Sequence, residues 1–185
     1  MLRGFIVGIA LGSAFNVTAT ELGEPEDLSG GYAEASRPKV SSTPIELALT
    51  LPKFPKKEDL QSFSVDEVEN TQFELDTQSL SVGKDGIVRY SVVITAVTGL
   101  PNVFYEGIRC ATAEYKTYAF GSSHANFQKQ LHTDWARIGR NSRGTSRYRF
   151  ALLDYYLCNQ NESVPYPKET IIYNLSHATL EKSAN

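Results

Sequence analysis

Glu106 and Arg109 stand three residues apart in Phe104–Cys110, a stretch whose alternation reads as a β-strand. On such a strand Glu106 shares a face with Phe104, Ile108 and Cys110, while Arg109 shares the other with Tyr105. A carboxylate on an apolar face needs a charged or hydrogen-bonding partner, or its pKa rises. Glu106 is therefore the candidate site acid or ligand anchor. The plainer reading is a satisfied structural network with Arg89, Arg109, Lys116 or a tyrosine, although on a regular strand Arg109 faces away. Arg89, Arg109, Tyr118 and Trp135 join Glu106 as candidate binding residues. Tyr105, Tyr115 and Tyr118 lie close together among ten tyrosines, as in a binding surface or a half-buried sheet. Arg137, Arg140, Arg143, Arg147 and Arg149 form a basic run beside Trp135 and Tyr148. Its functional reading is contact with an anionic envelope component or an acidic protein surface. The plainer one is a solvated face balancing nearby acids.

Other chemistries find little support. There is no nucleophile elbow, no P-loop and no dinucleotide-binding glycine fingerprint. His124, His132 and Asp134 match no standard metal-ligand spacing. No catalytic residue, metal or cofactor is assigned. With a net charge of -3, the chain lacks the basic surplus of a nucleic-acid binder.

The elements that must position these residues begin with a sheet over Phe73–Gly121. Phe73, Leu75 and Thr77 alternate with polar residues, and the apolar parity then shifts to Leu80 and Val82, which predicts a bulge near Thr77. Gly83-Lys84-Asp85-Gly86 predicts a hairpin turn. Val88, Tyr90, Val92, Ile94 and Ala96 fall on one face of the next strand, with Arg89, Ser91, Val93 and Thr95 on the other. Val103–Cys110 and Ala113–Phe120 complete an antiparallel meander joined by short turns. Upstream, Ile45–Leu51 is expected as a first edge strand and Leu51–Val68 as an irregular wrap. Downstream, Ser122–Ile138 is either a helix, from the spacing of Phe127, Leu131, Trp135 and Ile138, or a loop carrying one buried tryptophan. Thr145 or Ser146 is expected to cap a largely buried helix ending near Cys158. Pro167 opens a last helix with Ile171, Ile172 and Leu175 facing inward. The fold class is α+β: an antiparallel meander sheet packed by C-terminal helices, with one disulfide.

Phe5–Phe15 is apolar, follows a single Arg and precedes Val17-Thr18-Ala19, the pattern of a secretory signal peptide. The expected organisation is a signal peptide over 1–19, a flexible linker over 20–44, one α+β domain over 45–178 and a frayed tail over 179–185. No later segment has the length of apolar sequence that a membrane span needs. Two cysteines, Cys110 and Cys158, are an even count that favours one disulfide in an exported chain. Paired metal-binding or redox thiols, the alternative, call for closer spacing or further ligands.

SLSVGKDGIVRYSVVI, NVFYEGIRC and KTYAFG, followed by a tryptophan and Tyr155-Tyr156-Leu157-Cys158, resemble the cryptic neisserial protein one-like family of exported β-proteobacterial proteins. LPKFPKKEDLQSF adds to the likeness, which runs from about Leu51 to Leu175. Its signature positions fall on Asp85, Gly86, Arg89, Tyr90, Glu106, Gly107, Arg109, Cys110, Tyr118, Trp135 and Cys158, with Ile87 departing mildly where a valine is expected. The resemblance implies a Gram-negative envelope location and brings no catalytic residues. The expected role is a non-enzymatic periplasmic protein that binds an envelope protein or component. The alternative is a hydrolase of cell-wall or outer-membrane material with Glu106 as acid or base.

Overall fold

The computed structural model describes residues 45–121 and 126–177. The expected signal peptide, linker and frayed tail lie outside them. A single antiparallel sheet runs in chain order, β1 (Leu60–Phe63), β2 (Thr71–Val82), β3 (Ile87–Ala96), β4 (Pro101–Arg109) and β5 (Glu114–Gly121). The outer edge of β5 carries two short additions, β6 (Gln128–Lys129) against Ala119 and Phe120, and β7 (Ala136–Arg137) against Glu114 and Tyr115. Each link from β2 to β5 is too short for a crossover, so neighbours in sequence are neighbours in the sheet.

β2 is long enough to need a break, and the break falls at the parity shift: the β2–β3 register jumps between Asp76 and Ser81. Asp76 organises it. Its carboxylate, in a residue only 3% exposed, accepts the backbone N–H groups of Gln78 and Ser79. The Ser79 hydroxyl donates to the Asp76 carbonyl and accepts the Ser91 N–H of β3. The bulge therefore satisfies its own backbone groups instead of leaving them bare. At the next turn Gly86 takes φ +71°, which a side chain would strain.

One face of the sheet meets the C-terminal layer. A 3-10 turn (Gly144–Arg147) leads into α1 (Tyr148–Ala151), which widens into a π-type turn over Leu152–Leu157. Two-residue strands β8 (Cys158–Asn159) and β9 (Val164–Pro165) pair with each other, and α2 (Lys168–His177) follows Pro167. Val88, Tyr90, Val92 and Ile94 of β3 pack with Tyr148, Leu152, Tyr156, Leu157, Ile171 and Leu175 in the main core. Cys110, just past β4, is bonded to Cys158 at the end of the π-type turn. The fold class and the disulfide stand as expected from sequence.

Three local expectations are corrected, and one open pair of readings is decided. Ile45–Leu51 forms no strand; it is extended and crosses the opposite face of the sheet unpaired. The edge strand instead falls inside the supposed wrap, as β1. Residues 126–138 are an irregular segment with β6 and β7, not a helix. Neither Thr145 nor Ser146 caps the helical run, because both lie inside its 3-10 opening, which has no side-chain cap.

β3 is buried from Ile87 to Ile94, on both faces. The second cover is the 45–55 strap together with Phe127. Leu49, Leu51 and Phe127 pack on Tyr105, Tyr118 and Ala119, and Phe54 meets Phe127 at 5.2 Å between ring centres.

Candidate functional site

Glu106 faces the helical layer, as its alternation with Phe104 and Ile108 requires, and is 0% exposed. Its partner is Arg149 of α1, with Nη2 at 2.6 Å from Oε1 and Nε within 3.2 Å of both oxygens. Tyr148 donates to Oε2 at 2.8 Å, Tyr90 to Oε2 at 3.3 Å and Thr117 to Oε1 at 2.8 Å. Each carboxylate oxygen thus receives donors of both kinds, charged and neutral. The guanidinium stacks on Tyr115 at 4.1 Å and on Tyr148 at 4.7 Å. Burial opposes the charge of Arg149, yet the Glu106 carboxylate more than offsets it and its pKa is raised. Burial, and then the charge of Glu106, push the Tyr90 and Tyr148 hydroxyls well up. Of the partners expected from sequence, only the tyrosines are present. The charged partner, Arg149, comes from the basic run Arg137–Arg149.

That run divides. Arg149 is half-buried under the helix, and Arg147 reaches Glu67 at 3.4 Å and the Arg140 carbonyl at 2.9 Å. Arg137, Arg140 and Arg143 stay exposed.

The other face of the same strands holds a second polar cluster. Asp85 and Arg89 are 5% and 6% exposed and pair through Nη2–Oδ2 at 2.6 Å and Nη1–Oδ1 at 3.2 Å. Asp85 also accepts the Leu47 N–H of the strap at 2.9 Å. Gly83 makes room for the pair, since a Cβ there would fall 2.2 Å from Oδ1 of Asp85. Burial raises the Asp85 pKa, but Arg89 and the Leu47 and Ile87 amides outweigh it and bring it down to about 2. A carboxyl held below its unfolded value stabilises the fold above that value and loses the effect as the pH falls towards 2. Asp85→Asn is therefore expected to flatten the acid limb of the unfolding free energy below about pH 4, read from urea melts across that range. An unchanged limb would mean that the pair does not persist in solution.

Tyr118 arrives on this face through a second bulge that the sequence did not disclose. Tyr105 pairs with Ala119 and Glu106 with Thr117, so Tyr118 is the extra residue of β5. Its ring lies over Gly107, where a Cβ would meet the Tyr118 hydroxyl at 2.7 Å. Burial first, and the Glu46 carboxylate second, push that hydroxyl up. It is buried without a hydrogen bond of good geometry among the described residues. Next to it Arg109 stacks on Trp135 at 3.9 Å. The Trp135 indole N–H and the Lys116 ammonium both donate to Oε2 of Glu46, at 3.3 and 3.1 Å. Burial raises the Glu46 pKa, and Lys116 chiefly, with help from Tyr118 and Trp135, reverses it to a lowered value.

The five candidate residues therefore do not form one site. Arg89, Arg109, Tyr118 and Trp135 gather on the strap face, and Glu106 stands alone behind the sheet. Sequence reasoning missed Glu46 altogether, offered Lys116 to Glu106 where it pairs with Glu46, and named Arg149 only within the basic run.

These elements define a small helix-backed antiparallel meander, clamped by one disulfide and carrying a buried ion pair on each face. Residues 42–176 match the model of the CNP1-like family, and the chain belongs to that family. No curated protein and no solved structure matches it. The disulfide is consistent with an extracytoplasmic location. No helix among the described residues is long and apolar enough to cross a membrane.

Proposed function

We propose that the protein is a non-enzymatic binding protein of the Gram-negative periplasm, acting on an envelope protein or component through the strap face of its sheet. The observation that carries this is the saturation of Glu106. It is fully buried, held by Arg149 and three hydroxyls, and lines none of the three surface clefts described. A general acid or base must reach a substrate proton directly or through one water, and this carboxylate reaches only its own fold. Arg109, Trp135, Lys116 and Tyr118 stand instead at or beside an open cleft, in the aromatic and cationic company that binding surfaces favour.

The test is expression with the native N-terminus in a Gram-negative host, followed by crosslinking in intact cells and purification. The expected result is a discrete crosslinked adduct in the periplasmic fraction, with both thiols alkylated only after reduction. Turnover of cell-wall or outer-membrane material by the purified protein, abolished by Glu106→Gln with the fold retained, would overturn the reading in favour of a hydrolase.

A further inference from the structure

The Glu46 carboxylate sits in a site that looks built for a carboxylate, and it arrives there from an unpaired strap. Among the described residues, a single backbone hydrogen bond, Leu47 N–H to Asp85, ties that stretch of strap to the sheet charges. Swinging the Glu46 side chain outward breaks no secondary structure. The position it occupies offers the Lys116 ammonium and the Trp135 indole N–H. The buried Tyr118 hydroxyl, without a good partner of its own, lies alongside.

Glu46, Lys116 and Tyr118 open onto a cleft of about 620 Å³, within the roughly 300–1,000 Å³ typical of small-molecule sites. Leu47, Leu49 and Leu131 give it an apolar lining, and Leu47 and Leu131 are 51% and 71% exposed. Lys129 lies on its rim and has no ion pair among the described residues. Two lysines face a single acid, so once Glu46 moves aside the cleft is cationic at one end and apolar along its length.

We infer that this cleft binds a monoanionic amphiphile, a carboxylate bearing a hydrocarbon chain, and that Glu46 holds the anion position until such a ligand displaces it. The inference rests on the binding reading above and names the ligand class for that face. Lys116 and the Trp135 N–H take the carboxylate, the Tyr118 hydroxyl turns from Glu46 to the ligand, and the chain lies along the three leucines. An uncharged chain lacks the head contacts, and a short carboxylate lacks the apolar ones.

Trp135 is the only tryptophan in the chain, so its emission reports the site directly. Octanoate, octanol and acetate are titrated into the full chain, its Glu46→Gln, Lys116→Gln and Lys129→Gln variants, each checked for a native thermal melt. Octanoate is expected to shift the emission saturably. Glu46→Gln, which removes the internal competitor's charge, is expected to tighten binding by at least about tenfold, because the competent state becomes the main one. Lys116→Gln abolishes the response. Lys129→Gln, at an exposed position, weakens it severalfold and stands in if the Lys116 variant misfolds. Octanol and acetate give no saturable response at the same concentrations. Equal affinity in the wild type and Glu46→Gln, no response in either, or octanol matching octanoate each overturns the proposal. A crosslinked envelope adduct obtained alongside such a failure would leave the broader binding reading standing, so the two fail separately.

Discussion

Glu106→Ala is expected to destabilise the domain by about 3–5 kcal/mol, the cost of leaving one member of a buried ion pair without its partner. The change strands the Arg149 guanidinium under the helical layer, only 15% exposed. It also removes the acceptor of the Tyr90 and Tyr148 hydroxyls, both in residues at most 1% exposed. Each buried group left without a partner adds its own desolvation cost. Glu106→Leu combined with Arg149→Met is expected to recover much of the loss, since two apolar side chains of similar volume need no partners. Urea unfolding of the two single variants and the double gives the coupling directly. A loss below about 1 kcal/mol for Glu106→Ala, the range of exposed pairs, would mean that the pair is solvated.

Removing the disulfide, with Cys110→Ala and Cys158→Ala together, is expected to cost about 4 kcal/mol by the chain-entropy account of a loop this long. The sequence separation is 48. That is a large share of the roughly 5–15 kcal/mol by which domains are usually stable, so the variant's melting temperature should fall by several degrees per kcal/mol lost. A melting temperature unmoved by reduction would show that the helical layer holds the sheet without its covalent tie. Glu106–Arg149 and Cys110–Cys158 secure the same helical run to the same strand. Their losses are therefore expected to combine non-additively, a second reading from the same melts.

The meander was legible because β-branched alternation, an Asp-Gly turn and a parity shift each have one simple structural reading, and Val88–Ala96, Gly83–Gly86 and Thr77 supplied them. The strap was not. Ile45–Leu51 has the composition of a strand, but it lies across a face of the sheet instead of along an edge, and Leu49 and Leu51 are used to cover that second face. The Trp135 segment stayed open between helix and loop for a related reason: a helical spacing of four apolar residues is matched equally well by a loop that touches the sheet at intervals. The bulge at Tyr118 leaves no trace in a segment as short as β5.

Arg149 could have been found. Cys158 and Cys110 fix one point of contact. Nine residues back along a helix is about 13 Å, and four residues back along a strand is about 13 Å as well. Those steps end at Arg149 and Glu106. The basic run concealed the pairing because five arginines of one kind invite one explanation, and only the crosslink separates the one that reaches Glu106.

The contact of α2 with β1 bears on the order in which the chain can fold. Strands β2 to β5 pair with sequence neighbours, contacts that cost little loop entropy and form early. β1 pairs only with β2, and its inner residue Phe63 is covered by Tyr156, while α2 closes the core with Ile171 and Leu175. Strand β1 is thus sealed by α2, which follows every described strand in the chain. A ribosome releasing residues one after another presents the strands in pairing order, yet it withholds α2 until all of them have emerged. The domain is committed late: a chain cut short before Lys168 keeps the first helical run over the sheet but lacks Ile171 and Leu175, which close the core.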